Sequence, residues 1–229
     1  MATLDRKRYL DANEAAHLLQ FARGSVARES ERDYVALSVT LNGALRLREV
    51  RALNTTDLKR DETGAPILDV WFSKGKASRR VRITEEMAEL LEDWIRKQRR
   101  RLGGADGPMF TVFYRGLERR IARRSLEHVF KRIARRAGLP GCYSFHSLRH
   151  TYGVYYYRST RDILALREQL GHARVSTTQI YTSIDGATAR ENLRSLPAAL
   201  KPPGRYRRAR GNGMGGNGEE RRRASGSPL

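Results

Sequence analysis

The sequence predicts a mainly helical domain with a small antiparallel β-sheet (α+β). Apolar residues recur at helical spacing in most segments, whereas only residues 66–72 (PILDVWF) and 79–83 (RRVRI) have the composition of strands. These two segments flank the turn SKGKAS, so we expect them to pair as a hairpin. After Leu196 the composition changes to Pro, Gly, Ser and Arg without apolar periodicity. We therefore expect one domain over residues 1–196 and a disordered basic tail over 197–229.

Capping signals mark several helix starts. Asp11 precedes an apolar pattern, and Glu14 follows Asp11 by three residues, which is the spacing of a capping box. This predicts a helix over 11–23. Thr84 precedes a segment that begins with acidic residues and ends in RKQRRR, an order that suits the helix dipole. Further helices are expected over 31–45, LREVRAL, 144–158, 160–170, 176–182 and 185–195.

One helix is strongly basic. Residues 123–137 place an apolar stripe on one side, formed by Leu126, Val129, Phe130 and Ile133. Basic residues with almost no opposing acid point away from this stripe, which favours contact with DNA phosphates over an ordinary solvated face. The candidate DNA-binding residues here and beside the hairpin turn are Lys76, Arg123, Arg124, Lys131, Arg132, Arg135 and Arg136.

The net charge points to the same partner. Lys plus Arg number 45 against 25 for Asp plus Glu, which gives a formal charge of +20. From residue 201 onward there are eight basic and two acidic residues, so +6 lies in the tail and +14 remains in the rest of the chain. A charge of this size attracts nucleic acid. Two alternatives explain the charge alone: an arginine-rich coding bias, or a ribosomal or other RNA-binding protein.

Several classes of protein are excluded or left without support. The longest apolar stretch, Tyr34 to Leu47, is too short for a membrane span, and the N-terminus lacks the apolar run of a secretory signal. Cys142 is the only cysteine, so an internal disulfide and a cysteine-based zinc site are excluded. Neither a P-loop nor a dinucleotide fingerprint is present. We expect a cytoplasmic protein that needs no cofactor and no metal.

The segment HSLRH carries two histidines one helical turn apart. His146 and His150 could form a metal pair, but Ser147 stands where the metalloprotease pattern requires Glu, and Arg149 would repel the ion. His146 and Arg149 lie at i and i+3, on one face of the helix. That pair can present an imidazole and a guanidinium to the same phosphate.

Five motifs occur in a meaningful order along the chain. They are LNGALRLREV, FSKGKASRRVRI, FHSLRHTYG, LGHARVSTTQ and Tyr181, which follows His172 by nine residues. Their order and their residues resemble those of the catalytic domain of the tyrosine recombinases, the phage integrase family, over roughly residues 8–195. The family pattern is Arg, Lys, His-x-x-Arg, His or Trp, and then Tyr.

This resemblance implies a role for each matching residue. Tyr181 would attack the phosphodiester and form a 3′-phosphotyrosyl bond, with His146 as the natural acceptor of its proton. Arg46 and Arg149 would clamp the non-bridging oxygens of the scissile phosphate. Lys74 would protonate the leaving 5′ oxygen, and His172 would hydrogen-bond the phosphate. Glu49 would support the catalytic side chains without contacting the phosphate itself.

Other interpretations of some residues stay open. Lys76 competes with Lys74, although the K-G-x-K turn of the family favours Lys74. Glu49 could pair with Arg48 or Arg51, and His150 is expected to be a structural helix residue.

The resemblance also implies partners. The chain begins almost at the catalytic domain, as do the fimbrial inversion recombinases, which are short members of the family. Double-stranded DNA would be the substrate, in a prokaryotic, viral or mobile-element context, and accessory DNA-bending proteins could take part. Four copies would assemble on two DNA sites and exchange a C-terminal segment, for which residues 185–196 are the candidate. The alternatives are a type IB topoisomerase-like enzyme and a non-catalytic DNA-binding regulator derived from a recombinase.

Overall fold

The computed structural model describes residues 9–25, 27, 29–72, 76–172, 174, 177, 178 and 181, with the backbone alone at 72 and 76–78. Helices dominate this part of the chain, in agreement with the predicted fold class. They are α1 (Ala12–Gly24), α2 (Ser30–Gly43), α3 (Leu47–Ala52), α4 (Glu85–Arg101), α5 (Arg123–Arg136), α6 (Phe145–Thr160) and α7 (Ile163–Leu170).

The strands form two small antiparallel sheets. The first contains β1 (Leu58–Arg60), β2 (Pro66–Phe72) and β3 (Lys76–Arg82), in that order across the sheet. The second is a hairpin of β4 (Thr111–Tyr114) and β5 (Leu117–Arg120). Arg115 and Gly116 both have positive φ there, 50° and 80°, as a tight two-residue hairpin turn requires.

The expected helix starts are confirmed by their caps. The Asp11 carboxylate accepts from the Glu14 amide at 2.9 Å while the Glu14 side chain accepts from the Asp11 amide at 2.7 Å. The Thr84 hydroxyl accepts from the Met87 amide at 3.3 Å. Neither β1 nor the β4–β5 hairpin was predicted, because both are short and pair through backbone groups.

Helix α2 lies at the centre of the fold. It contacts α1, α4, α5 and α6, and thirteen of its fourteen residues are buried. The stripe of α5 formed by Leu126, Val129, Phe130 and Ile133 packs into the same main core, as its spacing predicts. No helix in the described part of the chain is both long and apolar enough to cross a bilayer.

A second, smaller apolar cluster lies apart from the main core. It is built by the end of α2 together with α6 and α7, and its buried members are Ala44, Val154, Leu166, Leu170 and Tyr181. Half-buried tyrosines at positions 9, 152, 156 and 157 pack around it. The predicted nucleophile therefore belongs to this smaller cluster, whose other buried side chains come from α6, α7 and the residue that ends α2.

Candidate active site

The candidate site begins where α2 ends. Ala44 adopts a left-handed conformation with φ of 52°, which ends α2 and turns the chain toward Arg46. Arg46 immediately precedes the short helix α3, and its amide donates to the Glu49 carboxylate at 2.8 Å. The turn thus places an arginine and a glutamate of one short segment side by side.

Three arginines converge on the Glu49 carboxylate. Arg46 binds Oε1 at 2.9 Å, Arg79 of β3 binds Oε2 at 2.9 Å, and Arg149 of α6 lies 3.9 Å from Oε2. Glu49 is almost fully buried. Burial alone would raise its pKa, but Arg79 and Arg46 outweigh burial and lower it. Three guanidinium groups against one carboxylate leave the cluster positively charged.

Arg149 is fixed by backbone carbonyls. Its Nη1 donates to the Ala44 oxygen at 2.5 Å and its Nη2 donates to the Leu170 oxygen at 2.6 Å, so the side chain joins α6 to the ends of α2 and α7. Only 1% of the residue is exposed. Burial and the nearby Arg46 lower the pKa of Arg149 to about 9. The arginine still carries its charge at neutral pH, and a bound anion would stabilise that charge.

His172 follows the last turn of α7. Its Nδ1 lies 3.1 Å from the hydroxyl of Thr178, which is fully buried. Burial and the surrounding arginines, Arg149 first among them, lower the pKa of His172 to about 4. The imidazole is therefore neutral at pH 7, and its other nitrogen can interact with a phosphate oxygen.

Tyr181 lies against α6, one face of which makes room for its ring. A Cβ added at Gly153 would stand 2.6 Å from two carbons of the Tyr181 ring, so only glycine fits there. The residue is 2% exposed, and its hydroxyl lies 3.2 Å from Nδ1 of His150. Burial raises the pKa of Tyr181 to about 12, although Arg149 and Arg46 act in the opposite direction.

The histidine next to Tyr181 is not the expected one. The sequence favoured His146 as the proton acceptor and His150 as a structural residue, but the contact observed for the hydroxyl is with His150. The His146 ring packs edge-on against His150, with 4.6 Å between the ring centres, and stays exposed at the mouth of the site. The reason is geometric: Tyr181 sits beside Gly153, which is one turn from His150 and two turns from His146 on the same helix.

A groove lies between the basic helix α5 and the start of α6. It has a volume of about 550 Å³, and His146 of α6 and both Arg123 and Lys131 of α5 are among its lining residues. Exposed side chains on α5 include most of the predicted DNA-binding set, namely Arg123, Arg124, Lys131, Arg135 and Arg136. Arg132 differs from them, because its Nη2 lies 2.6 Å from the carboxylate of Asp33, a residue with 1% exposure. The structure thus gives Arg132 a structural contact where the sequence predicted a DNA contact.

Several predicted features lie outside the described residues. They are Lys74, the side chain of Lys76, most of the helix expected over 176–182, the helix expected over 185–195, the exchange segment 185–196, and the tail from 197. The open question about Glu49 has an answer, since the described contacts pair it with Arg46 and Arg79, while Arg51 donates to the Ile121 carbonyl.

No sequence pattern assigned Arg79 or Gly153 to the site, and His150 was expected to be structural only. Arg79 has one recognisable signal: it alternates with Val81 and Ile83, and so stands on the buried face of its strand. The other two had no local signal, because their importance comes from Tyr181, which is distant in the chain.

The mainly helical fold is that of a tyrosine recombinase catalytic domain, and within it arginines, histidines and a tyrosine meet where α2, α6 and α7 come together. Comparison with known proteins agrees. The model of the phage integrase family matches residues 8–187, more than three quarters of the chain. The chain belongs to the phage integrase family.

Individual relatives are recombinases. The tyrosine recombinase XerC of Caldanaerobacter subterraneus is 32% identical over 191 residues, which cover 82% of this chain and 51% of the relative. The XerC of Roseiflexus sp. is 31% identical over 201 residues, covering 87% of this chain and 63% of the relative. The chain thus spans between half and two thirds of the length of these curated relatives.

The fold also matches a solved structure. The XerH site-specific recombinase, bound to a palindromic difH substrate in a post-cleavage complex, superposes with a TM-score of 0.67 at 22% identity. The match covers 80% of this chain and 51% of XerH. At this level of identity the likeness concerns the fold alone.

Proposed function

We propose that this protein is a site-specific DNA recombinase that cleaves and rejoins strands through a phosphotyrosyl intermediate. One observation carries the proposal: three guanidinium groups share a single buried carboxylate beside a neutral histidine and a tyrosine. A pocket with surplus positive charge, a hydrogen-bonding imidazole and a nucleophile has the parts that phosphodiester transfer needs. The XerC relatives support the same activity.

The proposed chemistry starts at Tyr181. Its oxygen attacks the scissile phosphorus, a bond forms between them, and the 5′ oxygen leaves with the electron pair of the broken bond. Lys74, which matches the family lysine, would give the leaving oxygen its proton. His150, at 3.2 Å from the hydroxyl, is placed to take the proton of Tyr181, and His146 lies next to it. Reversal of these steps rejoins the strand.

The arginines stabilise the charge that builds up during this transfer. Arg46 and Arg149 would each donate to a non-bridging oxygen of the phosphate, and His172 would add a further hydrogen bond. Loss of one such preorganised donor typically costs about 3–4 kcal/mol of transition-state stabilisation. Glu49 would keep the arginines in place without touching the substrate.

The nucleophile is enclosed in this conformation. At 2% exposure, the Tyr181 ring must move away from Gly153 before its oxygen can reach a phosphate in DNA. The pKa of about 12 agrees with a resting phenol that is not ionised at neutral pH. We infer that cleavage couples this movement to the transfer of the proton.

Duplex DNA would lie along the groove between α5 and α6. Arg123 and Lys131 line this groove together with His146, so phosphates held by α5 would continue toward the catalytic cluster. In our proposal a tetramer on two DNA sites exchanges residues 185–196, and accessory DNA-bending proteins can assist. The reaction would be integration, excision or inversion in a bacterial cytoplasm, and kinship with the short fimbrial inversion recombinases is part of the proposal.

The test needs no knowledge of the target sequence. Purified protein is incubated with supercoiled plasmid without metal or ATP, and denaturing gels record relaxed topoisomers and DNA-linked protein. We expect both products with the wild type and neither with Tyr181→Phe, because the attacking oxygen is gone. Tyr114→Phe, on the exposed tip of β4, is the matched control and should behave as the wild type.

Two outcomes would contradict the proposal. Products that persist in Tyr181→Phe would show that another group attacks the DNA. DNA binding by the wild type without any cleavage of the plasmid, or of a library of candidate sites, would instead favour a non-catalytic regulator.

A further inference from the structure

Arg79 is a buried arginine that joins three elements of the site. It stands on β3, its Nη2 lies 2.9 Å from the Glu49 carboxylate of α3, and its Nη1 donates to the backbone carbonyl of Gln169 in α7. Its side chain has 9% exposure. Arg149 also reaches α7, through the Leu170 carbonyl, but it stays 3.9 Å from Glu49. Arg79 therefore makes the tighter link between the glutamate of the cluster and α7.

The end of α7 is shaped to receive this side chain. Gly171 has φ of +63°, and a Cβ added there would stand 2.4 Å from Cδ of Arg79 and 2.8 Å from its Nε. A second clasp lies beside it: the Gln169 side chain donates to the Arg82 carbonyl at 2.7 Å and accepts from the Arg82 amide at 3.3 Å. The C-terminal end of α7 is therefore fastened to β3 at two points.

This fastening matters because the end of α7 adjoins two other members of the site. Leu170 supplies the carbonyl that holds Arg149, and His172 comes directly after Gly171. In the sequence, Lys74 precedes Arg79 by five residues. Arg79 thus links Glu49, the partner of Arg46, to the end of α7.

Stability alone is a poor explanation for an arginine at this position. Its Nε is buried and has no hydrogen-bond partner among the described residues, which is destabilising. Burial also lowers the pKa of Arg79, although Glu49 opposes that effect. An apolar residue would fill the space without either cost. Only an arginine supplies a positive charge next to Glu49 and, at the same time, a second hydrogen-bond donor for the backbone of α7.

We propose that Arg79 is a positioning residue for strand cleavage, which keeps Glu49 ionised and oriented toward Arg46 and holds the end of α7 in register with the cluster. It acts through Glu49 and the α7 backbone and does not touch the substrate. This inference rests on the proposed recombinase function.

The test compares Arg79→Ala with Arg80→Ala in the plasmid assay. Arg80 is the next residue on β3, it is exposed on the opposite face of the strand, and its loss changes the net charge equally. We expect Arg79→Ala to form the covalent DNA adduct about 10–100-fold more slowly, the range known for groups that orient metal ligands from behind. Plasmid affinity should stay within about twofold, and Arg80→Ala should resemble the wild type.

The pH profile separates positioning from a general loss of structure. In the part of the chain that the structure describes, the charged groups that face Glu49 are Arg46, Arg79 and Arg149. Removal of Arg79 raises the pKa of Glu49, so Arg79→Ala should lose adduct formation at a higher pH than the wild type as the pH falls. Arg79→Lys keeps the charge but not the planar fork, so it should restore the wild-type profile with a partly reduced rate.

A double variant provides an independent check. If Arg79 works mainly through Glu49, Arg79→Ala combined with Glu49→Gln should be little slower than Glu49→Gln alone. Thermal unfolding of each variant reports whether it folds, and if Arg79→Ala does not, Arg79→Lys carries the comparison.

The outcomes are distinguishable. An active wild type with Arg79→Ala equal to Arg80→Ala would overturn the inference alone, as would an unchanged pH profile. Multiplying losses in the double variant would overturn the part of the role that runs through Glu49. A wild type that forms no adduct would overturn the proposed function and, with it, the role of Arg79.

Discussion

The chemistry of single residues in this site is set by burial next to excess positive charge. Arg149 and His172 hold their protons less tightly than in water, with pKa values of about 9 and about 4, and burial is the larger cause in both. Tyr181 holds its proton more tightly, with a pKa of about 12. A phosphate entering the cluster would reverse part of these effects, because an anion stabilises the charged arginines.

Gly153 should control where the nucleophile rests. In Gly153→Ala the added methyl group would overlap the Tyr181 ring, so we expect the ring to be displaced from α6 and the fold to lose about 1–3 kcal/mol. Nitration by tetranitromethane, followed by peptide mass spectrometry, should show Tyr181 several-fold more reactive than in the wild type.

The control for this variant is Gly24→Ala. Gly24 ends α1, and a Cβ there would meet nothing within 4 Å. It should leave the nitration of Tyr181 unchanged. Equal protection of Tyr181 in Gly153→Ala and the wild type, with equal stability, would mean that the ring does not rest against residue 153.

At the scale of elements, α5 separates two uses of positive charge. Lys131 and Arg132 are neighbours on the helix, and both side chains reach the surface. Lys131 lines the groove beside His146, whereas Arg132 binds the buried Asp33, which Arg32 also contacts at 2.5 Å. Burial raises the pKa of Asp33 in spite of both arginines. The helix thus carries one cation, Lys131, that lines the proposed DNA groove, and another, Arg132, that pairs with the buried carboxylate of Asp33.

Alanine substitutions at these two positions should affect different properties, namely DNA binding for Lys131 and folding stability for Arg132. Lys131→Ala should weaken binding to duplex DNA and lower the slope of log K against log salt by about 1, with little change in stability. Arg132→Ala should cost about 1–2 kcal/mol of unfolding free energy, because Asp33 loses a partner, and should change the slope less. Urea unfolding and fluorescence titration at several salt concentrations measure the two quantities.

The prediction fails if the two variants behave alike. A larger loss of affinity in Arg132→Ala than in Lys131→Ala, with stability preserved, would return Arg132 to the DNA-binding set that the sequence suggested.

For the whole molecule, the histidines of the site make stability depend on pH. The folded-state pKa of His172 is about 4, against an ordinary value of 6.5. Between these two pH values the unfolded chain therefore binds a proton at His172 that the folded chain does not bind. This contribution to stability is fully present above about pH 6.5 and is lost as the pH falls toward 4. His146 acts in the same direction, because partial desolvation of its ring and the nearby Arg149 lower its pKa.

The variant His172→Asn isolates this effect. Its unfolding free energy should fall less than that of the wild type between pH 7 and pH 4.5, because the carboxylates common to both proteins cancel in the comparison. His128→Asn, at an exposed position of α5, is the control and should follow the wild-type curve. Parallel curves for His172→Asn and the wild type would contradict the lowered pKa.

Charge is the other property of the whole chain. The net charge of +20 makes the chain repel itself. On α5 the exposed cations outnumber their acidic partners, which among the described residues are Glu127 for Arg123 and Asp33 for Arg132. Acidic residues elsewhere are used in pairs, for example Glu29 with Arg101 at 3.0 Å and Glu85 with Arg60 at 2.9 Å. The surplus that remains is what a polyanion would neutralise.

Local sequence patterns were sufficient to predict the helical class, the capped starts of α1 and α4, the buried stripe of α5 and the family. These features depend on local spacing, or on a motif order that no fold is needed to recognise. Arg46, Glu49 and Arg149 do meet in the structure as the motifs suggested, whereas the catalytic roles of the matched residues stay predictions.

Which groups touch became known only from the folded chain. Three contacts show this: Tyr181 with His150 and not with His146, Arg79 with Glu49, and Arg132 with Asp33. The two residues of each contact are 30 to 99 positions apart in the chain. The physical reason is that such contacts depend on the packing of elements around α2 and on space left by glycines such as Gly153 and Gly171. Local patterns carry no information about that packing.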